Sequence, residues 1–160
     1  MLMANDFDDQ IFLELADLFV NEEIISELHL SGKLRCGDLD FSVESLAAVD
    51  DYLSAVHESP GSDEDQFRAA LRSGAYVGEV LRRNAAVEMH WLQFDNAAEA
   101  INAATNGAGK QLSTLGVLVS GTGGMSFPIG KTAKFLALGP GESTKFFVQA
   151  MLHKLGTSAA

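Results

Sequence analysis

Apolar residues recur along the chain with a period that begins helical and turns strand-like in the second half. Between Asp6 and Leu18, Phe7, Ile11, Leu15 and Leu18 fall on one side of a helix, and Phe12 and Phe19 widen that stripe. Asp6, Asp8 and Asp9 suit the positive N-terminal end of such a helix. Asn21-Glu22-Glu23 interrupts the pattern before a further turn or two, from Glu23 to Leu30, that stops at Ser31-Gly32; the spacing leaves open one helix or two. A second helix is predicted from about Val43 to His57, with Ser42 or Asp40 as cap. Leu46, Val49, Leu53 and Val56 face inward, and Asp50 and Asp51 lie on the other side. Ser59-Pro60-Gly61 ends it and turns the chain.

The densest pattern follows. A long helix begins at Ser62 or Asp63, carries Asp63, Glu64 and Asp65 in its first turn and Arg82-Arg83 in its last, and so matches its charges to the helix dipole at both ends. Phe67, Ala70, Leu71, Gly74, Val77, Gly78 and Leu81 share one face. A glycine inside a helix costs roughly 1 kcal/mol relative to alanine, so two of them four residues apart predict a seam where another element approaches closely. After Asn84 the period becomes two: Val87, Met89 and Trp91 point one way and Glu88, His90 and Leu92 the other, as in a strand with one buried face. Asp95 to Ala104 reads as a short helix with Asn96 and Glu99 as a capping box, stopped by Asn106-Gly107.

From Gln111 the runs LSTLGVLVS, GTGGMSFPIG and KTAKFLALG, punctuated by glycines, Pro128 and Pro140, read as antiparallel strands. A last helix opens at Glu142 or Ser143, buries Phe147, Val148, Met151, Leu152 and Leu155, and stops at Gly156, leaving 157–160 as a frayed tail. These elements imply a single α+β domain over 1–160: N-terminal helices packed on a small antiparallel sheet of three or four strands, closed by a C-terminal helix.

Composition agrees with that reading, since 160 residues at 47% hydrophobic can bury a core without disulfides or a structural metal. The single cysteine, Cys36, excludes an internal disulfide and has no spaced partner for zinc; a buried bystander is the simpler reading. The acidic N-terminus lacks the basic region and apolar run of a signal peptide, and no stretch approaches the roughly 18 apolar residues of a membrane span, which leads to the expectation of a cytoplasmic protein.

Charge adds a constraint on partners. The net charge is −11, and residues 1–81 carry 18 acidic against 4 basic residues while 82–160 carry 4 against 7. Nucleic acid or an anionic membrane would require a Lys/Arg-rich face, so neither is expected as a partner. A cationic protein partner fits, as does a homodimer, whereas the simplest account has the acids solvating helix faces.

Few residue patterns point to chemistry. Gly130-Lys131-Thr132 suggests a phosphate loop, but GxxxxGK[ST] would place its first glycine at Met125, Pro128 interrupts the cradle, and the following TAKFLALGPG reads as strand where a helix is needed. Gly107-Ala108-Gly109-Lys110 is weaker still. His29, His57, His90 and His153 are dispersed with no paired-ligand spacing, and no GxSxG is present, so no metal or cofactor is expected.

One constellation has geometry behind it. Steps of three and four place Tyr76, Glu79 and Arg83 on one face of the long helix, and the chain then runs on to Glu88, His90 and Trp91. Folded back, Tyr76, Glu79, Arg83 and His90 could line a pocket with acid, base and aromatic surface and serve as catalytic candidates. The competing account is an ion pair that fastens the helix end, with Trp91 in the core.

The segment GAYVGEVLRRN followed by Trp91, with FSVESLAAVDDYL upstream, resembles small bacterial domains of unknown function built around a Gly-Glu-Val helix and a Trp-bearing strand. The resemblance covers Asp40 to Trp91 and extends to KFLALGPGES. It implies a mixed fold whose helical part precedes its strands and a bacterial source, and it supplies neither a reaction nor catalytic residues. Three functions stay open: a non-enzymatic acidic module that binds a cationic protein, a small-molecule binder or enzyme with a pocket beside the long helix, and an immunity-type inhibitor of a basic toxin.

Overall fold

The computed structural model describes residues 8–21, 27–93, 116–121 and 124–157. Among them are five α-helices and a three-stranded antiparallel sheet, so the α+β expectation holds. The helices are α1 (Asp9–Val20), α2 (Leu46–Glu58), α3 (Asp63–Asn84), α4 (Pro128–Leu138) and α5 (Thr144–Leu155); the strands are β1 (Met89–Gln93), β2 (Gly116–Ser120) and β3 (Met125–Ser126), in the order β1-β2-β3. The helix expected over Asp95 to Ala104 and the start of the strand expected from Gln111 lie outside the described residues, as does the first half of the turn from Glu23.

α3 is the element around which the others pack. Ser62 and Asp65 form a reciprocal cap: the Asp65 amide donates to Ser62 Oγ at 3.1 Å, and the Ser62 amide donates to Asp65 Oδ2 at 3.0 Å. The bond from the Ser62 amide, followed by that with the Ser62 side chain, holds the Asp65 carboxyl below its ordinary value. From Ala69 to Leu81 nearly every residue is buried, whereas Phe67, expected on the inner face, is 47% exposed because the helix projects beyond the core there.

The two glycines of α3 form the predicted seam. A side chain at Gly74 would lie 2.6 Å from the Ile129 backbone on α4, and one at Gly78 would lie 2.2 Å from the Trp91 ring on β1. α4 and β1 therefore reach the same helix through positions that carry no side chain.

The segment KTAKFLALG, expected as a strand, is helical. Pro128 occupies the first turn of α4, where its missing amide is no loss, and Gly139 follows the helix at φ 98°, in the left-handed region. Ile129, Thr132, Phe135 and Leu136 form its buried face. α4 thus adds a helix between the sheet and the C-terminal helix, and the argument against a phosphate loop changes its basis: Gly130 and Lys131 lie within the first turns of α4, not in a loop ahead of it.

In α1 the buried set is Phe12, Ala16 and Phe19, rotated from the expected stripe so that Ile11 is 44% exposed. The N-terminus of α1 seals the edge of β1. The Asp8 amide donates to the Trp91 carbonyl, Asp9 Oδ1 accepts from the Trp91 amide at 2.7 Å, and Asp8 Oδ2 accepts from the Gln93 amide at 2.8 Å. Two carboxylates thus replace a neighbouring strand along an edge that would otherwise be open to pairing.

α2 buries Leu46, Val49, Leu53 and Val56 as expected. It begins later than expected, and Ser42 and Asp40 organise the loop before it rather than cap the helix itself. Asp50 caps α5 instead: its carboxylate accepts from the Thr144 amide (2.7 Å), Thr144 Oγ1 (2.6 Å) and Ser143 Oγ (2.6 Å). At the far end Thr157, expected in the frayed tail, bridges Ala85.

The main core draws on all five helices and on β1 and β2; Phe12, Val49, Val77, Trp91, Leu118, Ile129 and Val148 are members. Leu92, expected on the polar face of β1, is buried with Val117 in a second, smaller cluster on the other side of the sheet. Cys36 is partly buried against the main core.

Candidate functional site

The four candidate residues do not converge. Glu79, on the α3 face toward the sheet, has a side chain only 1% exposed. Its Oε2 accepts from the Trp91 indole at 2.9 Å and from Arg82 Nε at 3.0 Å; its Oε1 lacks a hydrogen bond and lies 3.7 Å from Arg83 Nε. The expected Glu79–Arg83 pair is present, but Arg82 is the nearer partner. Trp91 is fully buried, with its ring stacked on Phe12 at 4.4 Å. Glu79 thus fastens β1 to α3 by a charge-assisted bond to a fully buried tryptophan.

His90 lies on the opposite face of β1, as the alternation of a strand requires. Its Nδ1 is 2.8 Å from Asp9 Oδ2 and its Nε2 is 3.1 Å from Glu88 Oε1. The Glu88–His90 association legible in the sequence is real, and it belongs to the sheet edge rather than to the Glu79 cluster.

Tyr76 and Arg83 act together on a residue that sequence reasoning did not single out. Phe41 has φ 64°, a left-handed conformation that an aromatic residue adopts only under constraint. Its amide donates to the Tyr76 hydroxyl at 2.9 Å, and its carbonyl accepts from Asn84 Nδ2 at 3.1 Å. Its ring lies 4.8 Å from that of Tyr76 and beneath the Arg83 guanidinium, which stands 3.6 Å from the centroid. The Tyr76 hydroxyl also meets Ser45 Oγ at 2.6 Å, and burial pushes its pKa up. Three side chains of α3 therefore clamp one strained residue.

That clamp holds out a loop of acids. Asp40 Oδ1 accepts from the Ser42 amide at 3.0 Å and from Ser42 Oγ at 2.5 Å, a local turn in which the side chain substitutes for a backbone acceptor. The Ser42 hydroxyl bond, followed by the amide bond, holds the Asp40 carboxyl below its ordinary range and so keeps it charged. Ser42 Oγ in turn accepts from the Ser45 amide at 3.1 Å at the threshold of α2.

Beside this loop runs an open groove of about 410 Å³, lined by Arg35, Asp38, Asp40, Ser42, Glu44 and Ser45 among others. Asp38, Asp40 and Glu44 are exposed. Arg35, the one base in the lining, is shared between Asp38 at 3.6 Å and Asp51 at 2.8 Å, so the carboxylates outnumber their counter-charge. Such a surface can accept cationic groups.

The sequence carries part of the signal for this loop: Asp38 and Asp40 fall between two predicted elements, whereas Glu44 falls in the first turn of the helix predicted from Val43. Nothing in it marks Phe41 as left-handed, because the position lacks the glycine or asparagine that ordinarily announces that conformation.

Among the described residues no group of three or more His, Cys, Asp or Glu could hold a metal ion, and no helix is long and apolar enough to cross a membrane. No family model matches the chain, and neither a curated protein nor a solved structure is significantly similar to it.

Proposed function

We propose that the protein is a non-enzymatic interaction module whose acidic loop, Asp38 to Glu44, docks a cationic segment of a partner protein. The strained, clamped backbone of Phe41 carries this reading. Holding an aromatic residue at positive φ costs of order 1–3 kcal/mol, and such strain tends to be kept where a loop must be presented in a fixed shape. Here the shape displays three exposed carboxylates along an open groove of about 410 Å³. The net charge of −11 would speed the approach of a cationic partner.

The test is affinity capture from a lysate of the source organism at low salt, using the wild type and the triple variant Asp38→Asn/Asp40→Asn/Glu44→Gln. The expected result is one or a few basic proteins retained by the wild type, lost in the variant and lost in high salt. Retention of nothing, or retention indifferent to the three substitutions, overturns the reading. An inhibitor masking the basic active site of a toxin is its narrower form, and a toxin gene adjacent to this one would identify it.

A second reading, a small-molecule binder or enzyme beside α3, is favoured by one observation: Glu79 Oε1 is buried without a hydrogen bond. Buried polar groups left unsatisfied warrant a reason. Under this reading Glu79→Gln abolishes binding or turnover of a small molecule; under the first it alters stability alone.

A further inference from the structure

Among the described residues, Leu30 and Phe41 are the two that combine a side chain with a left-handed backbone, at φ 56° and 64°. They bracket one stretch of the chain. Between them lie two short 3-10 turns, Ser31–Lys33, which rests on α2, and Cys36–Asp38, which rests on α1. The amides of Lys33, Leu34, Asp38 and Leu39 each donate to a carbonyl three residues back, at 2.9–3.0 Å, so these backbone groups are satisfied from within the stretch. Leu34 and Leu39 are its buried side chains. Arg35 adds a bond of 2.8 Å to Asp51 on α2, but both groups are exposed and such a pair holds weakly.

The outer side of each left-handed residue is fixed to the body of the protein. The carbonyl before Leu30, that of His29, accepts from the hydroxyl of the buried Tyr52 at 2.8 Å, and the His29 ring meets the Ser59 carbonyl at 2.6 Å just beyond α2. At the other end the Phe41 carbonyl accepts from Asn84 Nδ2 at 3.1 Å. The Phe41 amide lies across the φ bond, on the side of the stretch, and its acceptor is the Tyr76 hydroxyl at 2.9 Å. Rotation about that bond breaks the Tyr76 contact and spares the Asn84 one. Two strained residues, each anchored on its outer side, are suited to absorb a backbone rotation, and a turn toward negative φ relieves strain that offsets part of the burial of Leu34 and Leu39.

We infer that residues 30–41 form a flap that swings open as one unit about Leu30 and Phe41, with the Tyr76 hydroxyl as its latch. Asp38 and Asp40 ride on the flap, whereas Glu44, Ser45 and Ala48, which line the same groove, stay at the entry to α2. Opening therefore takes the acidic groove apart and closing assembles it. The consequence for docking rests on the function proposed above for that groove; the motion itself does not.

The test is amide hydrogen exchange of the purified protein, resolved residue by residue by NMR over a series of low urea concentrations. The amides of Lys33, Leu34, Asp38, Leu39 and Phe41 should share one opening whose rate depends only weakly on urea, in contrast to the buried amides of α3. Leu34→Ala, near one hinge, should speed exchange of the Phe41 amide at the other about tenfold or more, with the urea dependence still weak. Tyr76→Phe should do the same for the Leu34 amide. Far-ultraviolet circular dichroism confirms that each variant is folded, and the two act from opposite ends, so either one suffices. Far-end exchange that a folded variant leaves unmoved overturns the inference, because the two ends are then separate loops. Exchange of the whole stretch with the steep urea dependence of α3 overturns it too, since the stretch then opens only when the molecule unfolds. No cation is added, so a failed docking reading leaves this result standing, and a failed flap leaves the capture experiment to be judged on its own.

Discussion

Replacing Gly78 by alanine puts a single methyl group into the tightest contact of the seam. The new carbon would stand 2.2 Å from Cη2 and Cζ2 of Trp91 and 3.1 Å from Cγ of Pro128. The indole cannot swing aside freely, because it is fully buried, stacked on Phe12 and bonded to Glu79. Overpacking of this kind costs about 1–3 kcal/mol. Displacing the indole endangers a bond to a charged acceptor worth about 1.5–3 kcal/mol. Against these stands the better helix propensity of alanine, about 1 kcal/mol. The expected net is a loss of about 2–4 kcal/mol, or roughly 6–12 °C in Tm for a loss of about 3 kcal/mol in a chain of this size. Trp91 is the one tryptophan, so its fluorescence during urea unfolding reports on the seam itself. Gly32→Ala is the control: nothing lies within 4 Å of the added carbon, and a change within about 0.5 kcal/mol is expected. Equal stability of the two variants would refute the seam.

Other consequences can be checked with similar means. Tyr52 and Tyr76 are the two tyrosines, and burial raises the pKa of both above the ordinary 10.0. A group whose pKa is raised on folding stabilises fully below its unfolded value and loses that contribution as pH climbs through the folded one. Phenolate absorbance should therefore appear only above pH 10 and together with loss of helical circular dichroism; phenolate formation in a folded protein at pH 10 would contradict the burial. Asp50→Ala removes the acceptor for Ser143 and Thr144 at the head of α5 and should cost about 2–3 kcal/mol, read as a lowered urea midpoint. An unchanged midpoint would show that water replaces the cap. Tyr76→Phe leaves the Phe41 amide and Ser45 hydroxyl without their shared partner, at about 1–3 kcal/mol. It should also weaken capture of a cationic partner although no carboxylate has changed, and full capture by a folded variant would count against the clamp as a presenting device.

How much of this could be read in advance depends on the range of the interaction. α3 was legible end to end because its signals are local: a capping pair at Ser62 and Asp65, acids then arginines, and a glycine stripe. α4 was misread although its signals are equally local. Pro128 at the start and Gly139 past the end are helix punctuation, but the run FLAL between them masks the three-four spacing of Ile129, Thr132, Phe135 and Leu136. Asp50 as the cap of α5 was beyond reach, since donor and acceptor lie more than ninety residues apart and a surface aspartate on α2 looks no different from a capping one. The Asp8 and Asp9 seal on β1 fails to announce itself for the same reason. At the candidate site, composition allowed an acidic partner surface without singling it out, and the residue that shapes it, Phe41, carries no mark of its backbone state.

The polar face of α3 fits a fastening role better than a catalytic one, on energetic grounds. Tyr76, Glu79 and Arg83 sit within two turns, and each is committed to an element distant in sequence: Tyr76 and Arg83 to Phe41, Glu79 to Trp91. A carboxylate 1% exposed is expensive to bury, and an apolar substitute of similar size is often as stable. What the apolar substitute could not supply is direction, because only an acceptor placed at Glu79 Oε2 fixes where the indole N–H points, and only a donor-acceptor hydroxyl at Tyr76 fixes the Phe41 amide in its left-handed turn. The bonds thus specify geometry at both ends of one rigid helix. If the acidic loop docks a partner as proposed, their consequence is felt away from α3, in the shape of that loop, so a variant that loosens Tyr76 should impair recognition more than its modest cost in stability would suggest.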